Sequence, residues 1–208
     1  MSLPSASSYK HVTAGDWKGL DHPNQSPRYS AIINALGDAK EILDVGCGSG
    51  VLATLLQTYP DRGRHYVGID RNPHAIAATT GRTPNTTFLQ VDEGDYSPDR
   101  AFDAIVFNET LYYYPDPIST LRRYSNYLKP TSGRLIVSIF MSIKSPGMRS
   151  RLFHLLNSRR PLSNRHCARM VDTYFETWPD VRILNVPCIE EADSYWRVWA
   201  GERTATNL

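Results

Sequence analysis

Long apolar runs are missing from this 208-residue chain, and nothing approaches the ~20 consecutive apolar residues of a membrane span. The opening, Met1-Ser2-Leu3-Pro4-Ser5-Ala6-Ser7-Ser8, has neither a basic start nor an apolar core, so it reads as a polar leader and not as a secretion signal. Cysteine is scarce. Cys47, Cys167 and Cys188 are widely separated and odd in number, with neither metal-ligand spacing nor a disulfide framework. That suits a reducing cytosol, so the expectation is a cytoplasmic protein without a metal and without a membrane partner. Net charge is only +2, which argues against a dedicated polyanion binder and against nucleic acid as a partner. Repeats, linkers and low-complexity blocks are absent as well. At this length one domain with a substantial core is expected.

Near-balance hides one local asymmetry. Arg149, Arg151, Arg159, Arg160, Arg165 and Arg169 fall in a stretch that contains no acid. Two readings stand: a solvated helix face with its loop, or a patch near an anionic substrate or partner.

What is present is organised around Glu41-Ile42-Leu43-Asp44-Val45-Gly46-Cys47-Gly48-Ser49-Gly50-Val51-Leu52. A short apolar run interrupted by one acid leads into three alternating glycines, and then into apolar positions at 51, 52, 55 and 56. A buried strand, a tight turn and a helix start account for all three parts. Glycine lets the backbone turn sharply and lets a ligand approach, so a nucleotide-like cofactor is expected here. The dinucleotide fingerprint needs G-x-G-x-x-G, but position 51 is Val, which argues against a pyrophosphate cradle.

Alternating elements follow. Ahead of the turn, Tyr29, Ile32, Ile33 and Leu36 have helical spacing, with Gly37 as a stop signal. After it come a helix over roughly 50–58 stopped at Pro60, a strand at 65–70 and a helix opened by Asn72-Pro73. Strands at 85–90 and 102–107, a helix over 116–128 and a strand over 134–140 complete the alternation. Asp70 ends its strand where an open α/β sheet presents its ligand crevice, 20 residues after Gly50, in reach of a ribose hydroxyl pair. As a helix N-cap ahead of Pro73 it would serve equally well. Helices at 148–156 and 163–177 are expected next, then strands at 180–186 and 194–199 whose connection is too short for a crossover, so they must pair antiparallel.

The fold expected is therefore a Rossmann-like α/β domain: a seven-stranded, mostly parallel sheet with helices on both faces and a C-terminal antiparallel hairpin. Within a single domain over 1–208, residues 1–38 read as an N-terminal arm or lid and 39–140 as a cofactor-binding core. A helical insert over 141–179 would cap an acceptor, and the hairpin takes 180–208. Tyr9 and His11 are lid candidates, and Trp17 a packing one. His11, His22, His154 and His166 are alternative bases, whereas His65 and His74 read as strand-start and helix-surface residues. Trp196 and Trp199, three apart, should face opposite sides.

These pieces, over about 29–199, resemble the class I S-adenosylmethionine-dependent methyltransferases. Leu43 to Gly50 is similar to the family's first motif nearly letter for letter, and Val67-Gly68-Ile69-Asp70 to its second. Asp92 sits where the third motif places a carboxylate, Phe102 to Val106 resembles the fourth strand, and Leu128-Lys129-Pro130 through Val137 the fifth. The resemblance implies S-adenosyl-L-methionine as cofactor and S-adenosyl-L-homocysteine as product. It implies a cofactor site of Asp44, Gly46, Cys47, Gly48, Gly50, Asp70, Arg71, Asp92, Glu93 and Asn108. Asp44 would face the ammonium, Asp70 the ribose and Asp92 the adenine. A phosphate-free nucleoside also explains why the third dinucleotide glycine is dispensable.

Methyl transfer is an in-line displacement, so holding an aligned, desolvated acceptor is most of the task, with a base needed for a protonated nucleophile. Asn108, Glu109 and Tyr113, beyond the fourth strand, are the catalytic candidates. Relatives that methylate nucleobase or glutamine amino groups carry Asn/Asp-Pro-Pro-Tyr there. Asn108-Glu109-Thr110-Leu111 lacks both prolines and looks instead like small-molecule methyltransferases of bacterial type, some of which N-methylate amino sugars. A small-molecule N or O acceptor is expected, N the favoured of the two. A macromolecular acceptor and a non-catalytic cofactor-binding subunit stand as alternatives. Monomer and homodimer are both open.

Overall fold

The computed structural model describes residues 26–59, 63–142, 162–184, 189–191 and 194–204. The lid candidates Tyr9 and His11, the packing candidate Trp17, His22, the helix expected at 148–156 with His154, Pro60, Cys188 and Arg149 to Arg160 lie outside them.

Five helices and eight strands alternate along the described chain. They are α1 (Ser26–Leu36), β1 (Glu41–Val45), α2 (Val51–Leu56), β2 (His65–Asp70), α3 (Pro73–Ala77), β3 (Thr86–Gln90) and β4 (Ala104–Asn108). After a 3-10 turn at Leu111–Tyr113 come α4 (Pro117–Ser125), β5 (Arg134–Ser142), α5 (Asn164–Thr177), β6 (Val181–Leu184), β7 (Ile189–Glu191) and β8 (Ser194–Arg203). The sheet order is β3-β2-β1-β4-β5-β8-β6, and β7 also pairs with β8. Strands β1 to β5 are parallel, and β8 runs antiparallel to β5, β6 and β7.

Each parallel strand is apolar on both sides because both faces are covered. Odd-numbered Leu43, Val45, Ile105, Phe107, Leu135 and Val137 face α4 and α5, in one core with Val171 and Phe175. Even-numbered Ile42, Tyr66, Ala104, Val106 and Ile136 face α1 and α2, in a second core with Ile32, Leu36 and Leu52. Trp196 and Trp199 obey the same alternation. Trp196 is buried against Phe140 and the α1 side, while Trp199 packs with the α5 core and donates its indole N–H to Asp172 at 2.9 Å.

Local signals place most ends. Helix α1 stops at Leu36 because Gly37 takes φ 55° and turns its N–H back to Ile33 and Asn34. Helix α4 begins where Asp116 accepts from the Ser119 N–H, but it ends at Ser125, three residues short of the expected Leu128. Phe102 likewise leaves the fourth strand, bridging Leu128 outside it. One cap reading is corrected: the side chain that caps α3 is Asn72, accepting from His74 N–H, not Asp70. Strand β7 was not expected. It falls in what reads as a loop, on the edge of β8 that also holds β6. No helix among the described residues is long and apolar enough to cross a membrane, and their His, Cys, Asp and Glu side chains form no cluster of three or more placed to hold a metal ion.

Candidate active site

The parallel strands end together, and the even-numbered positions at those ends bring Asp44, Asn108 and Ser138 to the face beneath α1. Register sets this placement: Asp44 lies beside Val106, and Asn108 beside Ser138.

Asp44 is the most exceptional of them. It is 2% exposed, its Oδ2 accepts from the Tyr66 hydroxyl at 2.5 Å, and its Oδ1 has no partner among the described residues. Burial pushes its pKa up to about 7, against the Tyr66 hydrogen bond and with the help of the Asp70 charge. A buried acceptor left open beside a second carboxylate is suited to a cation.

The turn after β1 divides its work among its glycines. Gly46, Gly48 and Gly50 all take positive φ. A Cβ on Gly46 would lie 2.3 Å from Thr110 Oγ1, so glycine there is demanded by the loop after β4. A Cβ on Gly48 would meet nothing within 4 Å among the described residues, so that residue faces open space between them. Cys47 turns inward, its sulfur seated over Gly68 of β2. Four of the amides are already committed: Gly46 and Cys47 donate to Ile69 O, Gly48 to Asp70 Oδ2 and Gly50 to Cys47 O. Such a turn offers space while using those four N–H groups internally, which suits a ligand without phosphates.

Asp70 accepts from Gly48 at 3.0 Å and from Asn72 at 2.8 Å through its two oxygens. Burial raises its pKa, against those two amides. Past β3, Asp92 folds the 92–96 turn by accepting from Gly94 N–H at 2.9 Å, and it lies 3.9 Å from Arg71. Glu93 is pushed up to about 7, first by burial and then by the Asp92 charge, against its own amide and Arg71. Helix α4 holds this turn in place: Arg123 donates to the carbonyls of Glu93, Gly94 and Tyr96, and Tyr124 to that of Glu93.

The residues after β4 form a network of their own. Glu109 takes φ 60°, a conformation that costs a non-glycine residue about 1 kcal/mol or more. Its Oε1 accepts from Ser138 at 3.1 Å and its Oε2 from Tyr112 at 3.0 Å. Burial raises its pKa, opposed first by Arg28 and then by the Phe140 amide, Tyr112 and Ser138. Of the three tyrosines, Tyr112 and Tyr114 are buried, with Tyr114 sharing a 3.0 Å hydrogen bond with Thr110. Tyr113 remains partly exposed, its ring 4.8 Å from that of Tyr112. Asn108 keeps a buried Oδ1 without a partner among the described residues. His65, His74 and His166 are exposed.

Two site residues come from α1. Tyr29 is buried, and burial raises its pKa with the help of the Asp44 charge, against the Arg28 charge and hydrogen bonds from Asn108 and Arg28. Arg28 is 1% exposed, its Nη1 is 3.8 Å from Glu109 Oε1, and its guanidinium lies over the rings of Tyr29 and Trp196. The signal for Arg28 was in the sequence: it stands one and two turns before Ile32 and Leu36, a charge on the core stripe of its helix.

A family profile described as a methyltransferase domain matches residues 21–190. The chain belongs to the class I S-adenosylmethionine-dependent methyltransferases. Among curated relatives of this methyltransferase is the trans-aconitate 2-methyltransferase of Enterobacter sp., 30% identical over 77% of this chain and 65% of that protein. The ubiquinone biosynthesis O-methyltransferase of Vibrio campbellii is 29% identical over 59% of this chain and 52% of that one. The methyltransferase thus spans about half to two thirds of these relatives' length. Its fold is that of the N-methyltransferase NodS from Bradyrhizobium japonicum solved with S-adenosyl-L-homocysteine (TM-score 0.65, 18% identity, 90% of this chain and 91% of that one).

The family's cofactor, S-adenosylmethionine, fits the residues present. Its ammonium matches the orphaned Asp44 Oδ1, its lack of phosphates matches the committed turn amides, and Gly48 leaves it space. One pH dependence follows. In the folded, ligand-free chain Asp44 and Glu93 hold protons up to about 7 that the unfolded chain releases near its ordinary carboxylate range. The folded state therefore binds more protons in that window, and its stability should fall as pH rises from about 4 to 7. Affinity for a cationic ligand at Asp44 should rise over the upper part of the same window. Denaturant unfolding and ligand titration at pH 5.5 and 8 check both signs.

Proposed function

We propose that this chain transfers the methyl group of S-adenosylmethionine to an N or O nucleophile of a small molecule. The observation that carries the reading is the buried, unpartnered Asp44 Oδ1 beside the open space at Gly48. Asp44 holds the methionine ammonium, and Asp70 accepts from the ribose hydroxyls with the lone pairs left by its two amides. Asp92 and Glu93 line the adenine end, steadied by Arg71 and by the α4 clamp. Gly46 and Cys47 shape the turn from behind, while Gly50 starts α2. When bound, the cofactor supplies a methyl group already activated on a sulfonium.

What remains for the protein is to orient the acceptor and exclude water. Tyr113 is the partly exposed ring beyond β4 and faces the acceptor, and Asn108 offers it an open carbonyl oxygen. Glu109 already has a donor on each oxygen, so its role is to fix Tyr112, Ser138 and Arg28 in position and not to take a proton itself. Relatives that by name act on trans-aconitate and in ubiquinone biosynthesis support a small acceptor, and since the second is by name an O-methyltransferase and NodS by name an N-methyltransferase, N and O acceptors both stand. The buried free thiols of Cys47 and Cys167 suit a cytoplasmic setting.

Incubation with methyl-labelled S-adenosylmethionine and a fractionated cell extract tests the reading. Label is expected in the small-molecule fraction; label confined to RNA or protein would replace it with macromolecular methylation. Glu109→Gln should lower turnover about tenfold or more, and Tyr113→Phe by less, since positioning groups act through the acceptor's alignment. Near-normal turnover in both, with cofactor binding intact, would remove these residues from the site.

A further inference from the structure

The end of the sheet opposite the crevice carries a cluster that methyl transfer does not use. Helix α4 starts after the end of β4, α5 starts where Asn164 donates to Phe140 O near the end of β5, and both run back towards the strand starts. Strand β8, antiparallel to β5, finishes at that same end with Arg203. There Tyr174 of α5 is 4% exposed, and its hydroxyl is buried without a partner among the described residues. Ser125 lies beside it, yet the Ser125 Oγ gives its proton to Arg122 O at 2.8 Å. A buried hydroxyl left unpaired is unfavourable, and folded proteins rarely keep one.

The surroundings of that hydroxyl are positive. Burial raises the tyrosine's pKa, opposed by the Ser125 hydroxyl and then by the charges of Arg203 and Arg122, and no carboxylate acts on it. Arg122 is exposed and Arg203 half-buried, and neither makes an ion pair or a side-chain hydrogen bond among the described residues. The Arg122 charge also reaches the exposed Asp116 at the start of α4, and in the last turn it complements the helix dipole. Two guanidiniums and a hydroxyl proton are donors only, with nothing to hold a cation. Guanidinium forks match the oxygens of a phosphoryl group in paired, charge-assisted hydrogen bonds, and two of them suit a dianion. We propose that Tyr174, Arg122 and Arg203 form a second binding site, for a phosphoryl group, at the end of the sheet remote from the cofactor crevice. The tyrosine hydroxyl donates to one oxygen and the guanidiniums to the others. Free phosphate and a phosphorylated metabolite share this chemistry. The site uses none of the residues of the methyltransferase reading and stands apart from it.

Titration of the whole chain tests the site. Wild-type protein in a buffer free of phosphate is titrated with inorganic phosphate, with glycerol 3-phosphate, and with sodium chloride to the same ionic strength, followed by calorimetry and thermal melting. Saturable binding of a phosphate, absent with chloride and weakened about tenfold or more in the Arg122→Gln, Arg203→Gln double variant, is the expected result. Tighter binding of inorganic phosphate names the free ion as occupant, and tighter binding of the ester names a phosphorylated metabolite. Tyr174→Phe should lose the same binding while melting, without anion, at the wild-type temperature or above it, because it removes an unpaired buried group. A lowered melting temperature with the phosphate response intact would make Tyr174 a folding residue and overturn the proposal. So would stabilisation by phosphate that is equal in wild type and the arginine variant, the mark of ion exclusion from the whole surface. No saturable binding of either phosphate overturns it too. Both variants should bind S-adenosyl-L-homocysteine as wild type does, so failure at this site leaves the methyltransferase reading intact, and wild-type protein that binds no S-adenosyl-L-homocysteine overturns that reading instead.

Discussion

Asp44→Asn is expected to weaken affinity for S-adenosyl-L-homocysteine roughly 10- to 150-fold while leaving the ligand-free protein as stable as wild type or more so. The two effects have opposite signs for one reason. Asp44 is buried, its pKa is pushed up to about 7, and one oxygen has no partner. Without ligand, the ionised carboxylate is an unfavourable buried charge, and an amide of the same shape relieves it. Tyr66 can still donate to the Asn carbonyl. With ligand, the same carboxylate meets an ammonium in a dry site, where a hydrogen bond between charged groups contributes about 1.5–3 kcal/mol, or roughly 10- to 150-fold in affinity. Calorimetric titration and thermal melting at pH 8 read the two halves. A melting temperature lowered by many degrees together with unchanged affinity would mean that Asp44 is a folding residue and not a ligand residue.

Gly46 and Gly48 should part company under the same substitution. Gly46→Ala forces a Cβ to within 2.3 Å of Thr110 Oγ1 and 2.8 Å of its Cβ, at φ 75°. Overpacking of this kind costs ~1–3 kcal/mol, and the left-handed backbone adds about 1–2 kcal/mol for any residue with a Cβ. A loss of about 2–5 kcal/mol is therefore expected, a large part of the stability of a domain this size. Gly48→Ala carries only the backbone cost, because its Cβ enters open space. That space is where the ligand belongs, so Gly48→Ala should fold and bind S-adenosyl-L-homocysteine at least tenfold more weakly. Denaturant unfolding with a paired titration distinguishes them. Equal stability losses, or a Gly48→Ala protein with wild-type affinity, would contradict the division of labour in this turn.

The parallel half of the fold was legible because each element carried a local reason. Ile42 to Val45 is apolar on both sides, Gly37 stops a helix, and Asn72-Pro73 starts one. Where reasons were local but incomplete, boundaries slipped. Helical spacing runs on to Leu128, yet Leu128 is spent bridging Phe102, so α4 closes at Ser125. Strand β7 had no signal, since its pairing with β8 is a tertiary event on an edge. The carboxylates at the strand ends could be named from spacing, but not what they touch. Nothing near Glu109 in sequence announces that Ser138, 29 residues on, and Arg28, 81 residues back, converge on it. Asp70 and Asn72 were separated only by geometry, since either could cap α3. Arg28 is the instructive omission. A charge on a core stripe is a warning that periodicity alone gives, and it needs no coordinates to be heard.

The central claim is that the space bounded by Asp44, Gly48 and Asp70 takes a phosphate-free adenosyl amino acid. Titrating the wild-type protein side by side with S-adenosyl-L-homocysteine and with NAD tests it most directly. Saturable one-to-one binding of S-adenosyl-L-homocysteine, with no heat from NAD, is the predicted result. Tight binding of NAD and none of S-adenosyl-L-homocysteine would contradict it.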